Sequence, residues 1–510
     1  MNDAHRLTLI STGQYHRSMK KAPSGIAPLI ALDRSESKAL HRQIYDACRG
    51  AILEGRLNSG QRIPSSRVLA EELGVSRNPV LNAYAQLLAE GYFEARIGSG
   101  TVVSRDLPHR AMRVQTKKAV DGGNDLGVRR VSSVASILPP VTHVLPAMLG
   151  RGAFAPGQVA VDHFPTKIWS KLITRQSRNL QLGSLQYGDP MGAMELRECI
   201  AEYLRTARAV RCEPQQIMIV GGSQHALAIS ARVLIDSGDP VWVEDPGYRF
   251  AKDAITIAGG KLIPVPVDEE GLDVMAGIRK CRKAKAAVVT PSHQYPLGAT
   301  MSATRRLQLL EWARTSGSWI VEDDYDSEFR YEGSPISSLQ GLDLKSRVVY
   351  IGTFSKVAFP GLRLAYLVIP ADLVDRFLAV RIALDMAPPR FLQLVLADFI
   401  REGHFSRHIR RMRALYCQRR DALVNALRAE FGAQLEPQGL GAGLHLVVTL
   451  PPGYNDREIS QRAYEENLWL TALSVTYRSE KSRQGFILGF GTTPEKEAPA
   501  AVRKLKNLLA

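Results

Sequence analysis

This chain lacks the means for disulfide chemistry. Its 510 residues contain five cysteines: Cys48, Cys199, Cys212, Cys281 and Cys417. They are odd in number, scattered and without a CxxC pair, which excludes a disulfide framework or a cysteine zinc site and points to a reducing cytoplasm. Long uncharged apolar runs are also missing, so no membrane span is expected. The N-terminus, MNDAHRLTLISTGQYHRSMKK, has no apolar segment followed by a small-residue cleavage site and reads as a polar lead-in, not a secretory signal. Acidic residues are in the minority: 66 Lys and Arg face 50 Asp and Glu, a net charge of +16. That balance suits a polyanionic partner, through attraction that is not specific by itself. Internal repeats are absent. The remainder, 45% hydrophobic and 23% charged, is the composition of a soluble globular chain long enough for more than one domain.

A first domain is expected over residues 28–104. Leu40 to Leu53 places Leu40, Ile44, Ala47 and Ala51 on one helical face, with Arg42, Asp46, Arg49 and Glu54 off it. Gly55 to Gly60 ends that helix, and Ser65-Ser66 caps a second with Val68, Leu69 and Leu73 as its apolar face. Gly74-Val75 stops it. Ser76 caps a third helix, in which Val80, Tyr84, Leu87 and Leu88 face inward. Two short helices about a glycine turn are a helix-turn-helix pattern, and Tyr92–Arg96 and Thr101–Val103 about Ile97-Gly98-Ser99-Gly100 add a β-wing. Ser76, Arg77 and Asn78 precede the first inward residue, so they face outward where a helix enters a major groove. Arginine reads guanine and asparagine adenine, while serine and a helix N-terminus suit phosphate. Arg67 and Arg96 extend the basic face.

The run PSSRVLAEELGVSRNPVLNAYAQLLAEGYFEARIGSGTVV resembles the GntR-type winged helix. The resemblance implies contacts to a double-stranded DNA operator from Ser66 and Arg67 after the Pro-Ser turn. It implies others from Ser76, Arg77 and Asn78 opening the recognition helix, and from a wing carrying Arg96 and Gly98. Where the family usually has threonine beside the recognition arginine, this chain has Asn78, so the operator bases do not carry over.

Residues 105–152 show little apolar periodicity and carry Pro108, Gly122-Gly123 and Pro139-Pro140; they read as a flexible or partly extended linker. From 153 to 510 strands and helices alternate, as in an α/β layer fold with a mainly parallel sheet. Strands are expected at Ile217–Val220, Pro240–Glu244, Ala286–Thr290, Trp319–Glu322 and Val348–Ile351, with helices between them such as His225–Leu234 and Thr304–Arg314. Ligands gather beyond the strand C-termini of such sheets.

Motifs sit at those ends. VYIGTFSKVAFPGLRLAYLV, from Val349 to Val368, holds Lys356 between two apolar runs. A lysine there is costly unless neutralised, and a Schiff base with pyridoxal phosphate does that. Gly221-Gly222-Ser223-Gln224 opens a helix after a strand, an anion cradle. Glu244-Asp245-Pro246-Gly247-Tyr248 exposes a ring on which a planar cofactor can stack. Glu322-Asp323-Asp324-Tyr325-Asp326 sets four carboxylates at a strand end, where a protonated pyridine nitrogen would relieve their repulsion and Tyr325 would reach the ring oxygen. A carboxylate metal site is the competing reading; without paired histidines or a Gly-Asp-Asn loop beside it, no metal is expected.

In their order these motifs resemble the fold-type I, pyridoxal-phosphate-dependent aminotransferases, with YGDPMGAMELRECIAEYL, VEDPGY, TPSHQYPLG and VEDDYDSEFRY as further landmarks. The resemblance implies Lys356 as the Schiff-base lysine, Asp323 on the pyridine nitrogen (Asp324 being the alternative) and Tyr325 on the ring oxygen. It implies Ser223, Gln224, Thr353, Ser355 and Arg363 at the phosphate, Tyr248 on the ring, and Tyr187 reaching a neighbouring subunit's site. Two features depart from the family. The Asn-Pro-Thr-Gly turn is Tyr295-Pro296-Leu297-Gly298, leaving His293 or Gln294 to contact the ring. The arginine that grips a substrate carboxylate has no counterpart in register, Arg478 and Arg483 being the nearest in sequence.

An α+β winged helix-turn-helix joined by a linker to an α/β aminotransferase-like domain resembles the MocR-type branch of GntR regulators. The arrangement implies a cytoplasmic bacterial transcription factor and a head-to-tail, domain-swapped homodimer. Its implied effector is pyridoxal 5'-phosphate or an amine or amino acid forming an external aldimine with it. A working aminotransferase with a DNA-binding appendage is the alternative. The arginines of the expected helix Arg401–Arg420 read as a solvated face, with an auxiliary DNA contact as the other option.

Overall fold

The computed structural model describes residues 26–96, 100–105, 131–138, 152–180, 185–333, 336–479 and 482–510. The chain divides into two units between Arg129 and Arg130. Gly98, the side chain of Arg96 and most of the expected linker lie outside the described residues. Within that linker one short helix is described, Ser133–Ile137, where Ser132 Oγ accepts from the Ala135 N–H.

Among its described residues the first unit has three α-helices, α1 (Leu40–Leu53), α2 (Ser66–Glu72) and α3 (Arg77–Ala89). Three short strands follow the antiparallel order β1 (Arg62–Ile63), β3 (Gly100–Val103), β2 (Phe93–Arg96). Ser65 caps α2 by accepting from the Val68 N–H at 3.3 Å. Ile44, Cys48, Leu69, Val80, Leu87 and Phe93 form the core, and Tyr84 meets Phe93 edge-on at 5.3 Å. Ile26 and Ile30 join this core, so it begins ahead of residue 28. Two expected core residues are not core: Val68 and Leu88 are 39% and 36% exposed. On α3 the inward stripe is Val80, Ala83, Tyr84 and Leu87, and Leu88, one residue further, is rotated off it.

The second unit is built on an eight-stranded sheet of order β4-β11-β10-β9-β8-β5-β6-β7. Its strands are β4 (Ile217–Val220), β5 (Pro240–Asp245), β6 (Lys261–Asp268), β7 (Gly271–Leu272), β8 (Ala286–Val289), β9 (Trp319–Asp324), β10 (Val348–Thr353) and β11 (Ala365–Val368). Five neighbours, β10, β9, β8, β5 and β6, run parallel. β11 is antiparallel to β10 and to β4, so the start of β11 lies level with the ends of the others. Both faces of the sheet are covered, which explains why its strands read as unbroken apolar runs. Val243, Val321 and Ile351 pack on one face; Trp242, Ile320 and Val348 pack on the other, where Trp242 stacks on Trp312 at 3.8 Å. A smaller antiparallel sheet of β12 (His445–Thr449), β14 (Gly485–Gly489) and β13 (Thr471–Ala472) follows. Among the described residues no helix is long and apolar enough to cross a membrane.

β9 and β10 run two residues beyond their expected ends, so Asp323, Asp324 and Thr353 lie on the sheet itself. Helix α4 (Met194–Arg208) delivers a buried guanidinium to that edge. Arg208 bonds Asp324 Oδ2 at 2.8 Å, Ser292 Oγ at 2.6 Å and the Ile336 carbonyl at 2.8 Å. Removing one partner of a buried ion pair leaves the other charge uncompensated. Arg208→Met should therefore destabilise this unit by about 3–5 kcal/mol, measured by chemical denaturation; a loss below about 1 kcal/mol would show that the pair is dispensable.

Candidate functional site

On the first unit, Arg67, Ser76, Arg77 and Asn78 are exposed and Ser66 is half-buried. Ser76 has N-cap backbone geometry but makes no side-chain cap bond, which leaves its hydroxyl outward at the start of α3. Arg77 Nε donates to Ser66 Oγ at 3.1 Å, tying the openings of α2 and α3 together. Arg62, which the motif reading passed over, lies on β1 opposite Val102 of the wing and adds an exposed cation to this sheet.

On the second unit the sheet edge gathers the other candidates. Lys356 follows β10 in the connection to β11; its Nζ donates to the Gly157 carbonyl at 2.5 Å. Gly157 has φ +72°, which favours glycine, and a Cβ there would stand 2.8 Å from that nitrogen, so a larger residue would push Lys356 aside. Burial lowers the proton affinity of Lys356, while Asp326 and Asp323 act to raise it.

Helix α5 (Ser223–Leu234) begins at the end of β4. Its N-cap, Gly222, at φ +108°, offers no side chain, and a Cβ there would come within 2.8 Å of Arg363 Nη2. Arg363, at the start of β11, donates to the Gly221 carbonyl at 2.9 Å. A guanidinium set over an uncapped helix N-terminus is an anion site. Thr353 Oγ1 accepts from the Ser355 N–H at 3.2 Å in the same connection. Gln224 donates to the Phe250 carbonyl at 2.9 Å, and its Oε1 is buried with no partner.

Tyr248 caps helix α6 (Arg249–Ile257), its ring 5.6 Å from Tyr295. Asp323 Oδ1 is buried without a partner. Burial pushes this carboxyl up to about 7, helped by Asp324, Glu244 and Asp326 and opposed by Lys356. The adjacent Asp324 faces the other way along the strand. Its Oδ2 is taken by Arg208, Tyr350 and Ser327, although its Oδ1 also has no partner. A protonated ring nitrogen would satisfy Asp323, and Lys356, the anion cradle and Tyr248 supply the remaining features that pyridoxal phosphate requires.

Gln294, one of two candidates for a ring contact, is consumed elsewhere. Its amide donates to Glu244 at 3.1 Å and to the Pro246 carbonyl at 2.9 Å, and its oxygen accepts from the Leu297 N–H. His293 is placed beside Tyr325, Nδ1 to hydroxyl 3.0 Å, and beside Asp326. His293, Asp326 and His445 have ligand atoms within 4.8 Å of one another. Hydrogen bonds engage that group: both Asp326 oxygens meet His293, and His445 Nε2 meets the Pro296 carbonyl at 2.9 Å.

Tyr187 is 86% exposed. Arg478 and Arg483 are also exposed. Arg478 contributes its backbone N–H to Asp245, and Arg483 bonds Tyr477 on the rim of a cleft of about 1170 Å³. In the register of the short sheet, Ile487 and Val447 instead form an apolar wall with Leu297 and Leu473. The arginines of helix α7 (His404–Phe431) are less free than a solvated face implies. Arg407, Arg411, Arg413, Arg419 and Arg420 each donate to a backbone carbonyl. All but Arg407 fasten segments distant in sequence, which helical periodicity does not identify.

Comparisons with known proteins fall on the same two units. The family described as Aminotransferase class I and II matches residues 157–486, and the one described as Bacterial regulatory proteins, gntR family, matches residues 40–103. A probable rhizopine catabolism regulatory protein, MocR, of Rhizobium meliloti is 38% identical over 94% of this chain and 95% of its own length. The pyridoxine biosynthesis transcriptional regulator PdxR of Corynebacterium glutamicum is 31% identical over 91% and 95%. Among solved structures, a kynurenine aminotransferase of Pyrococcus horikoshii is 28% identical, covering 74% of this chain and 96% of that one, with a TM-score of 0.69. The alpha-aminoadipate aminotransferase LysN of Thermus thermophilus is 27% identical, covering 74% and 98%, with a TM-score of 0.67.

The unpartnered carboxyl sets a pH dependence. Asp323 rises from 3.8 to about 7 on folding, so between those values the folded chain holds a proton that the unfolded chain has released. Stability therefore falls as pH rises through that window. Without bound cofactor, Asp323→Asn should stabilise the protein on the order of 4 kcal/mol at pH 8, with the gain shrinking toward pH 4. Thermal melts at both pH values check this; equal gains at both would show that another group titrates.

Proposed function

Because this chain belongs to the MocR-type branch of the GntR transcriptional regulators, we propose that its larger unit holds pyridoxal 5'-phosphate and uses it to sense a small molecule. That molecule is the cofactor itself or an amine or amino acid, and the readout is the winged helix's hold on a double-stranded operator. The observation that carries the reading is the buried, unpartnered Asp323 Oδ1 at the sheet edge that also bears Lys356 and Arg363. When bound, pyridoxal phosphate supplies an aldehyde carbon that combines reversibly with primary amines, together with a visible chromophore.

The protein's own groups have distinct parts. Lys356 offers an amino group whose proton affinity burial has lowered. Asp323 would hold the ring nitrogen's proton, Tyr325 would donate to the ring oxygen and Tyr248 would cover the ring. Ser223, Gln224, Thr353, Ser355 and Arg363 would surround the phosphate, and Tyr187, exposed here, would complete the site of a second copy in a head-to-tail homodimer. Ser66, Arg67, Ser76, Arg77, Asn78 and the wing would contact the operator. Regulation requires that the effector bind two arrangements of the dimer with different affinity; a tenfold change in operator affinity needs about 1.4 kcal/mol of that difference. The relative named for pyridoxine biosynthesis supports the cofactor as effector, and the one named for rhizopine catabolism supports an added small molecule. The second reading, a working aminotransferase, is favoured by the presence of Lys356, Asp323 and Tyr325 together.

The test is the visible spectrum of the purified protein with pyridoxal phosphate, before and after a panel of amines and amino acids. A band that one compound shifts without keto-acid formation supports a sensor. Steady keto-acid production makes the protein an enzyme, and no band removes the cofactor. Lys356→Ala should abolish the band and leave the winged helix folded, as judged by operator binding without effector. Arg77→Ala should weaken operator binding roughly 10- to 100-fold with the band unchanged, checked by fluorescence anisotropy; undiminished binding would remove Arg77 from the interface.

A further inference from the structure

His293 stands between two groups that compete for one of its nitrogens. Nδ1 lies 3.0 Å from the Tyr325 hydroxyl and 3.0 and 3.2 Å from the two oxygens of Asp326. The side chains of His293 and Asp326 are 0% and 2% exposed. One nitrogen cannot serve both partners fully in a single tautomer. If Nδ1 carries hydrogen, it donates to the carboxylate, and the tyrosine keeps its proton for another acceptor. If Nδ1 is bare, it takes the tyrosine's proton and sets its lone pair against an anion.

The electrostatics at Nδ1 decide between them. Nε2 is buried, has no partner and abuts Gly298, where a Cβ would stand 3.2 Å away. Left unpaired, it costs desolvation whether or not it carries the hydrogen. Hydrogen on Nδ1 makes a charge-assisted bond to the Asp326 carboxylate, whereas a bare Nδ1 faces that anion with its lone pair, so Nδ1 carries the hydrogen. Gly443 packs against the Cε1 and Nδ1 edge of the ring, where a Cβ would overlap the imidazole.

We infer that Asp326 and His293 are positioning residues: the Asp326 carboxylate fixes His293 as the Nδ1–H tautomer and so reserves the Tyr325 proton for the cofactor's ring oxygen. The inference rests on the reading of Tyr325 as the donor to that oxygen. The surroundings agree with it. Burial, with Asp326, Tyr295, Asp323 and Glu244 nearby, keeps Tyr325 protonated. His445, its ring 4.9 Å from that of His293, is held neutral by burial, its value pushed down to about 3. Lys356 is the cation that feels Asp326 and Asp323.

Two measurements test this. In the cofactor-free protein, nitrogen NMR of the histidine side chains, with the His293 signals assigned by their loss in His293→Gln, should show hydrogen on Nδ1 and none on Nε2. The reverse would overturn the inference, and this arm does not depend on any Asp326 variant folding. With cofactor, the pH midpoint of the visible band is compared among wild type, Asp326→Asn, Tyr325→Phe and the double variant. Loss of the tyrosine's donation strengthens the ring oxygen's hold on the proton it shares and moves the midpoint up, by about one unit. Loss of a nearby anion by itself moves it down. The expected result is an upward shift in Asp326→Asn and no upward shift from the same change once Tyr325 is phenylalanine. A downward shift, no shift, or the same shift in both backgrounds would show that Asp326 does not act through Tyr325. A wild type without any visible band would sink the cofactor reading, and the inference with it, whatever tautomer the NMR finds.

Discussion

The larger unit depends on how negative charge is compensated at one edge of a sheet buried on both faces. Glu244 is the penultimate residue of β5, Glu322, Asp323 and Asp324 end β9, and Asp326 follows. Each buried carboxylate needs donors or a cation, because desolvation favours its neutral form. Glu244 receives Thr290 and Gln294, and Glu322 receives the backbone of Leu339 and Gln340. Asp324 receives Arg208, and Asp326 receives His293. Asp323 and Asp324 each leave Oδ1 without a partner, but Asp324 is compensated through Oδ2 by Arg208, and no such cation bonds Asp323. Because its neighbours are compensated locally, a cationic ring nitrogen placed at Asp323 would relieve a single charge without competing for the rest.

The connection from β10 to β11 supplies the opposite charges. Thr353 pairs with Ala365 in antiparallel register, so one turn carries both Lys356 and Arg363 to the edge where the parallel strands end. Arg363 is then within reach of the glycine turn after β4, because β4 is the next strand over. Lys356 and Arg363 are thus anchored at the two ends of one connection by sheet register. Gly157 and Gly222 allow the close approach of Lys356 and Arg363, respectively.

The winged helix obeys a simpler rule, since its contacts are local in sequence. A core of Ile44, Leu69, Val80 and Phe93 fixes its helices, and Arg77 braces Ser66 across the turn. Its exposed basic tips follow from the positions that the core leaves outward.

Periodicity and turn chemistry were enough to place the winged helix and five strands of the large sheet to within a few residues, because apolar pattern and backbone propensity are local properties. The lysine, the acidic strand end, the glycine cradle and the recognition helix were legible for the same reason, each being a short run of unusual composition. Partnerships were not. That Gln294 braces a turn, that arginines of α7 fasten loops, that Asp324 belongs to Arg208, and that Gly157 receives Lys356 from 199 residues away depended on strand order and helix packing. A period of two tells which side of a strand is buried; it does not tell what lies opposite. The meeting of His293 with Tyr325 and Asp326 across β8 and β9 is therefore a product of the tertiary structure, since only the order of strands in the sheet brings two distant sequence motifs onto one nitrogen.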